Sequence, residues 1–239
     1  MNIGPTGRYQ RATRRAHLRL ASPDCLGPLR QVFLLAILLS FCIDACHSAE
    51  EIALAPGTSV DGLSQAEWSR AWWQWAASFN WDDSPVSDTV GERCASKQRG
   101  IVWFLAGTYQ SQRTNRTCTV PQGKYLFFPL INVEVTRPED GSVDCAGVKR
   151  EAAKLAENTT ILALNVDGQD IGGLFGHRQI TEHCFDLGLL AEHKTGVFPS
   201  AGDGYYIMLR PLKPGKHTLN FGGRSAGFTQ ALSYTILVK

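Results

Sequence analysis

The chain has 239 residues, a net charge of +2, 44% hydrophobic residues and seven cysteines. That apolar content, with only 19% charged residues, excludes a disordered chain, and 23 Gly with 11 Pro exclude a collagen-like or low-complexity one. Residues 1–49 carry six arginines against two acids, a charge of +4 that leaves −2 for the rest, so no basic stripe argues for nucleic acid as a partner.

Residues 1–49 read as a signal peptide. A positive n-region ends at Arg30, and an apolar h-region runs over 32–43 before Asp44. A helix of that length spans about 18 Å, short of a ~30 Å hydrocarbon core, so no transmembrane span is expected in the mature chain. Small residues over 45–49 allow cleavage after Ala45, Ser48 or Ala49. Ile43-Asp44-Ala45-Cys46 is close to a lipobox, which makes Cys46 a candidate lipidation site, although Asp44 is wrong for the motif. A buried core helix is the competing reading of 32–43.

Four cysteines remain beyond the leader: Cys94, Cys118, Cys145 and Cys184. An even count in an exported chain predicts two disulfides, and nearest-neighbour pairing, Cys94–Cys118 and Cys145–Cys184, brackets compact segments. Free buried thiols are the alternative. The spacing contains no C-x-x-C, which argues against a zinc knuckle or a thioredoxin-type site.

Residues 50–63 read as an extended linker broken by Pro56-Gly57, followed by one domain over 64–239. Ser64-Gln65-Ala66-Glu67 is a capping box, with Leu63 and Trp68 as its staple. Trp68, Trp72, Trp75 and Phe79 then fall on one stripe, which predicts a helix over 65–79. Trp73 is off that stripe. It either packs under the loop carrying Trp81 or stands as an exposed ligand platform.

From residue 101 the pattern turns to strands. Ile101–Ala106 reads as a strand buried on both faces, 111–117 as a polar loop or hairpin tip, and 120–123 as a turn. Tyr125–Val135 is a long strand in which Pro129 implies a bulge or an edge. A helix is expected over 145–157 and a strand over 161–166, closed by the hairpin signal Asp167-Gly168. Residues 169–200 are Gly-rich, with two short strands expected near 177–186. Tyr205–Leu209 is a strand, and two period-two strands follow around 217–221 and 228–238, with Phe221-Gly222-Gly223-Arg224-Ser225 as a bulge or hairpin between them. Eight or nine strands with short connections predict a mainly β fold, an antiparallel β-sandwich or jelly roll with a Trp-rich helix and one further short helix.

Trp72-Trp73-Gln74-Trp75-Ala76, Gly91-Glu92-Arg93-Cys94-Ala95, Val102-Trp103-Phe104-Leu105-Ala106-Gly107-Thr108, Arg116-Thr117-Cys118-Thr119-Val120-Pro121 and Pro211-Leu212-Lys213-Pro214-Gly215-Lys216-His217-Thr218 resemble, in this order, the motifs of a family of uncharacterised exported microbial proteins. The resemblance covers most of residues 64–239 and is weakest over 169–200. It implies export and adds no chemistry.

Candidate chemistry is sparse. Asn132 and Glu134, two apart on one strand, point to one face with Phe128 and Leu130. A carboxylate beside an apolar face can serve as an acid or base, or simply pair with Arg93 or Arg137. A hydrolase or lyase acting on carbohydrate would need a second carboxylate from Asp82, Asp83 or Asp88, roughly 5–9.5 Å from Glu134. His177, Glu182, His183, Asp186 and His193 cluster in sequence but lack any compact metal-ligand spacing, so they read as surface histidines and no metal is assigned. No nucleophile elbow, P-loop or dinucleotide fingerprint occurs, and no cofactor is implied. The leading expectation is a non-catalytic exported protein that binds a small molecule, a glycan or an envelope component through Trp73, Asn132 and Glu134. A carbohydrate-active enzyme and a structural envelope protein are the alternatives.

Overall fold

Ser64 starts the first helix by the reciprocal capping its sequence predicts. Its hydroxyl accepts the Glu67 amide, and the Glu67 carboxylate takes the Ser64 N–H at 2.9 Å. The helix, α1, runs Gln65–Ala77 and stops at Ser78, two residues short of the expected end. The computed structural model describes residues 51–110, 112–138, 141–191, 197–225 and 227–239. The signal peptide, Cys46 and His193 lie outside the described residues.

Among the described residues the strands are β1 (Val102–Phe104), β2 (Thr114–Val120), β3 (Tyr125–Thr136), β4 (Ile161–Val166), β5 (Gln169–Asp170), β6 (Arg178–Ile180), β7 (Ser200–Leu209), β8 (Gly215–Ser225) and β9 (Phe228–Val238). A second helix, α2 (Cys145–Glu157), lies between β3 and β4. The strands form two sheets, β1-β3-β7-β6 and β2-β9-β8-β4-β5. The fold is mainly β with two helices and is sandwich-like, as expected, but both sheets are mixed. β1 pairs with β3, and β2 with β9, in parallel. Connectivity explains the first pair. The chain leaves β1, makes β2 in the other sheet and returns, so it re-enters the first sheet in the same direction.

The inner core joins the two sheets through Leu126, Phe128, Leu130, Ile131, Ile207 and Leu209 on one side, and Leu219, Phe221, Leu232, Tyr234 and Ile236 on the other. Phe128 and Phe221 meet across it, with ring centroids 4.4 Å apart. The opposite face of the first sheet carries Val102, Phe127, Tyr206 and Met208, and α1 covers it with Trp72 and Trp75. Residues 51–63, read as a linker, are extended but packed. Leu54 donates its N–H to Met208, and Ala53, Leu54 and Val60 are buried. α2 buries Val148, Ala152 and Ala156, with Asp144 as its N-cap.

Three further expectations are corrected. Residues 114–117 belong to strand β2 rather than a loop. Its alternation is regular, but the inward residues include Thr114 and Arg116, so the apolar signal is absent. Phe221–Ser225 is uninterrupted strand within β8, paired without a register shift to β4 and β9. Glycine is needed there because β3 of the facing sheet comes close: an added Cβ at Gly223 would stand 3.0 Å from Ile131 Cβ. Near 177–186 one named strand forms instead of two, β6 (Arg178–Ile180), with an isolated bridge between Phe185 and Ser200. Both disulfides are formed in the expected pairing, Cys94–Cys118 and Cys145–Cys184, with Cα atoms 5.8 and 5.9 Å apart. No helix among the described residues is long and apolar enough to cross a membrane.

Candidate functional site

A bulge decides which face carries the candidate residues. β3 pairs with β7, and its register shifts between Pro129 and Ile131. The carbonyls of Pro129 and Leu130 are bonded there by Gln230 Nε2, at 2.9 and 3.0 Å. One extra residue reverses side-chain parity. Asn132 and Glu134 therefore do not share a face with Phe128 and Leu130, which stay in the inner core. They lie on the α1 side, where Asn132 Nδ2 donates to Tyr206 Oη at 3.0 Å and Tyr206 stacks on Phe127. Burial holds the Tyr206 phenol far above its ordinary pKa, so it stays protonated and is no base.

Strand pairing adds neighbours to this row. Asn132 is opposite Gly204, Glu134 opposite Gly202 and Thr136 opposite Ser200. The Thr136 hydroxyl donates to Glu134, and Thr136 and Ser200 hydroxyls meet at 2.7 Å. Trp73 joins the row from α1. A Cβ added at Gly202 would stand 3.0 Å from Trp73 Cδ1 and Nε1, so the absence of a side chain at Gly202 admits the indole. Trp73 also meets Trp72 edge-on, with centroids 5.1 Å apart. It is half-buried over β7, against Gly202 and Trp72. Its Nε1 faces the Tyr206 hydroxyl without reaching hydrogen-bond geometry.

Sequence reasoning missed the most exposed part of this neighbourhood. Trp81 and Tyr109 are 59% and 61% exposed and stack on each other, with centroids 5.9 Å apart and planes 28° apart. Crowding around the hydroxyl end, and then the charge of Glu134, raise the Tyr109 phenol pKa. The residue is largely exposed, and the Glu134 charge is felt at its hydroxyl. The Trp81 shelf is held by Ser84 N–H and Ser87 Oγ, which both donate to the Trp81 carbonyl. The available signal was an aromatic residue in the polar tract 107–113, which reads as loop and nothing more.

The second-carboxylate candidates differ in their surroundings. Asp88 is buried and accepts the N–H groups of Val90, Gly91 and Arg93 at 2.9, 2.9 and 2.8 Å. Burial alone would raise its pKa, but those three bonds and the nearby Arg116 charge lower it. Its carboxylate orders the 88–94 loop. Asp82 and Asp83 are exposed on a 3-10 turn. Arg116, also buried, donates to the carbonyls of Val86, Asp88, Ala106 and Gly107 and to the Tyr234 hydroxyl.

The histidine cluster is dispersed. His177 is buried rather than on the surface, with Nδ1 lacking a partner; burial lowers its pKa against the opposing charge of Glu51. His183 and Glu182 are exposed. Among the described residues no group of three or more His, Cys, Asp or Glu is placed to hold a metal ion.

No family model matches this chain, and no curated protein matches it. Among solved structures it is similar to a chain in "Structure of PbICP-C in complex with falcipain-2", at 12% identity and a TM-score of 0.25, over 59% of this chain and 98% of that one. A similarity that low is silent on fold and partner.

Proposed function

We propose that the protein is an exported, non-catalytic binding protein whose ligand is a glycan, taken up beside the Asn132-Glu134-Thr136 row. The observation that carries this reading is the solvent-facing Trp81–Tyr109 stack, whose phenol feels the charge of Glu134. A sugar ring has an apolar C–H face, which suits a flat aromatic shelf, and hydroxyls, which need a carboxylate, an amide and hydroxyl groups as partners. Glu134, Asn132 and Thr136 are those groups. Asp88, one of the three candidate second carboxylates, is engaged by backbone amides. Two disulfides support export to an oxidising compartment, and membership of the exported family resembled by the motifs is part of the same proposal.

Titration with soluble envelope and cell-wall oligosaccharides, read by tryptophan fluorescence, tests it. Saturable quenching that weakens roughly tenfold or more in Trp81→Ala supports the reading. A panel without any binder, or binding indifferent to Trp81→Ala and Glu134→Gln, overturns it. Hydrolysis of any bound oligosaccharide that stops in Glu134→Gln would turn the reading to the carbohydrate-active alternative.

A further inference from the structure

The flank of α1 away from Trp73 borders a separate cavity of ≈ 420 Å³. That volume falls within the ~300–1,000 Å³ range of small-molecule sites. Its α1 wall uses Trp68, Ala71, Gln74 and Trp75, with the C-cap Ser78 beyond them, and Phe104 of β1 closes one side. The indole N–H groups are already used: Trp68 Nε1 donates to the Val60 carbonyl at 2.9 Å and Trp75 Nε1 to the Ser96 carbonyl at 3.0 Å. The two rings therefore offer the cavity carbon surface.

The rim has the opposite character. Lys97, Arg99 and Leu190 are exposed lining residues, and no carboxylate is among the lining. Lys97 is held at the rim, with its ammonium 2.7 Å from the Ser78 carbonyl and 4.7 Å from the centre of the Phe79 ring. It also adopts φ = 51°, a left-handed conformation that costs a non-glycine residue free energy. Neither Lys97 nor Arg99 has an ion-pair partner among the described residues. An ammonium can donate to more than one partner, and a guanidinium has a planar fork suited to a carboxylate.

We propose that this cavity binds a single-chain amphiphile with an anionic head, of the fatty-acid type. Its alkyl chain lies against Trp68, Trp75 and Phe104, and its carboxylate meets Arg99 and Lys97. The site is independent of the glycan reading, because it uses the other flank of α1.

The test uses the intact protein and three probes below their micelle concentrations: decanoate, decyl glucoside and decyltrimethylammonium. Calorimetry and tryptophan fluorescence give affinity and stoichiometry. Decanoate is expected to bind with one site per chain, with the neutral and cationic probes roughly tenfold weaker or worse. Arg99→Met, which removes no hydrogen bond among the described residues, weakens decanoate roughly tenfold, and Ala71→Leu blocks the cavity at unchanged Tm. Lys97→Met also loosens the end of α1, so the Arg99 and Ala71 variants decide the matter. Absence of decanoate binding, equal binding of the cationic probe, or indifference to both variants overturns the proposal.

Discussion

Every residue of β7 from Ser200 to Leu209 is buried, whereas β9 alternates between buried and half-buried along most of its length. The first sheet lies under α1 on one face and under the second sheet and α2 on the other. The second sheet turns one face to water. Polar groups on the two sheets therefore live under different rules. In the first sheet polar groups depend on protein partners: Asp203 is bonded twice by Arg178, at 2.9 and 2.8 Å, and Thr181 exchanges hydrogen bonds with Gly202, while the buried Trp103 Nε1 goes without one. On the second sheet an exposed Asp167 pairs with a half-buried His217. A partner lost under cover strands a group; a partner lost in water is replaced by solvent.

The sharpest break of this comparison is Arg178→Met. It leaves the fully buried Asp203 carboxylate without its counter-charge and should cost about 3–5 kcal/mol in a urea titration. The equivalent change on the second sheet, His217→Asn, should cost under about 1 kcal/mol because Asp167 is 45% exposed. Equal losses would refute the distinction. Removing either disulfide should cost about 3–4 kcal/mol, with Cys145–Cys184 exceeding Cys94–Cys118 by about 0.4 kcal/mol, because their sequence separations are 39 and 24. Double Ala variants measured without reductant give both values. Gly202→Ala pushes a methyl into Trp73 and is expected to cost about 1–3 kcal/mol, whereas Thr229→Ser on the open face should stay within about 0.5 kcal/mol.

The smallest effect is a difference in pH slope. His177 borders the covered sheet, and burial puts its folded pKa below the ordinary 6.5. The unfolded chain then binds the proton more readily, so His177 drains stability as pH falls below about 6.5. For His217, partial burial opposes protonation, but Asp167 and the Lys213 carbonyl win and raise its pKa above 6.5. Its contribution is fully present below about 6.5 and fades as pH rises through the folded value. The lowered pKa of Asp167 adds a term that fades only as pH falls below about 3.8. Stability profiles of His177→Gln and His217→Asn between about pH 5 and pH 8.5 should flatten on opposite sides. Two variants flattening on the same side would contradict these placements.

Local pattern carried much of the fold. The Ser64 capping box and the Trp stripe placed α1, and the α2 and β4 bounds match their expected ranges, because each element satisfies its own capping or period with neighbouring residues. β2 was illegible because its inward positions are Thr114, Arg116 and Cys118. A buried arginine is tolerable only where distant carbonyls surround it, and those carbonyls come from Val86, Asp88, Ala106 and Gly107. The candidate site divides the same way. Trp73, Asn132 and Glu134 were singled out by residue type, yet their common face depends on the bulge at Pro129 and on Gly202. The Trp81–Tyr109 stack joins residues 28 positions apart and leaves no periodic trace.

What the sequence by itself determined is what depends on near neighbours and composition: the caps, the helical stripe, the period-two strands and an even set of four cysteines. What only the tertiary structure decided is what depends on partners far along the chain. That includes the parallel pairing of β1 with β3, the face on which Asn132 and Glu134 stand, the burial of Arg116 and His177, and the cavity between α1 and Phe104. The physical reason is that burial and hydrogen-bond satisfaction are properties of a surrounding, and a surrounding exists only once distant segments have packed.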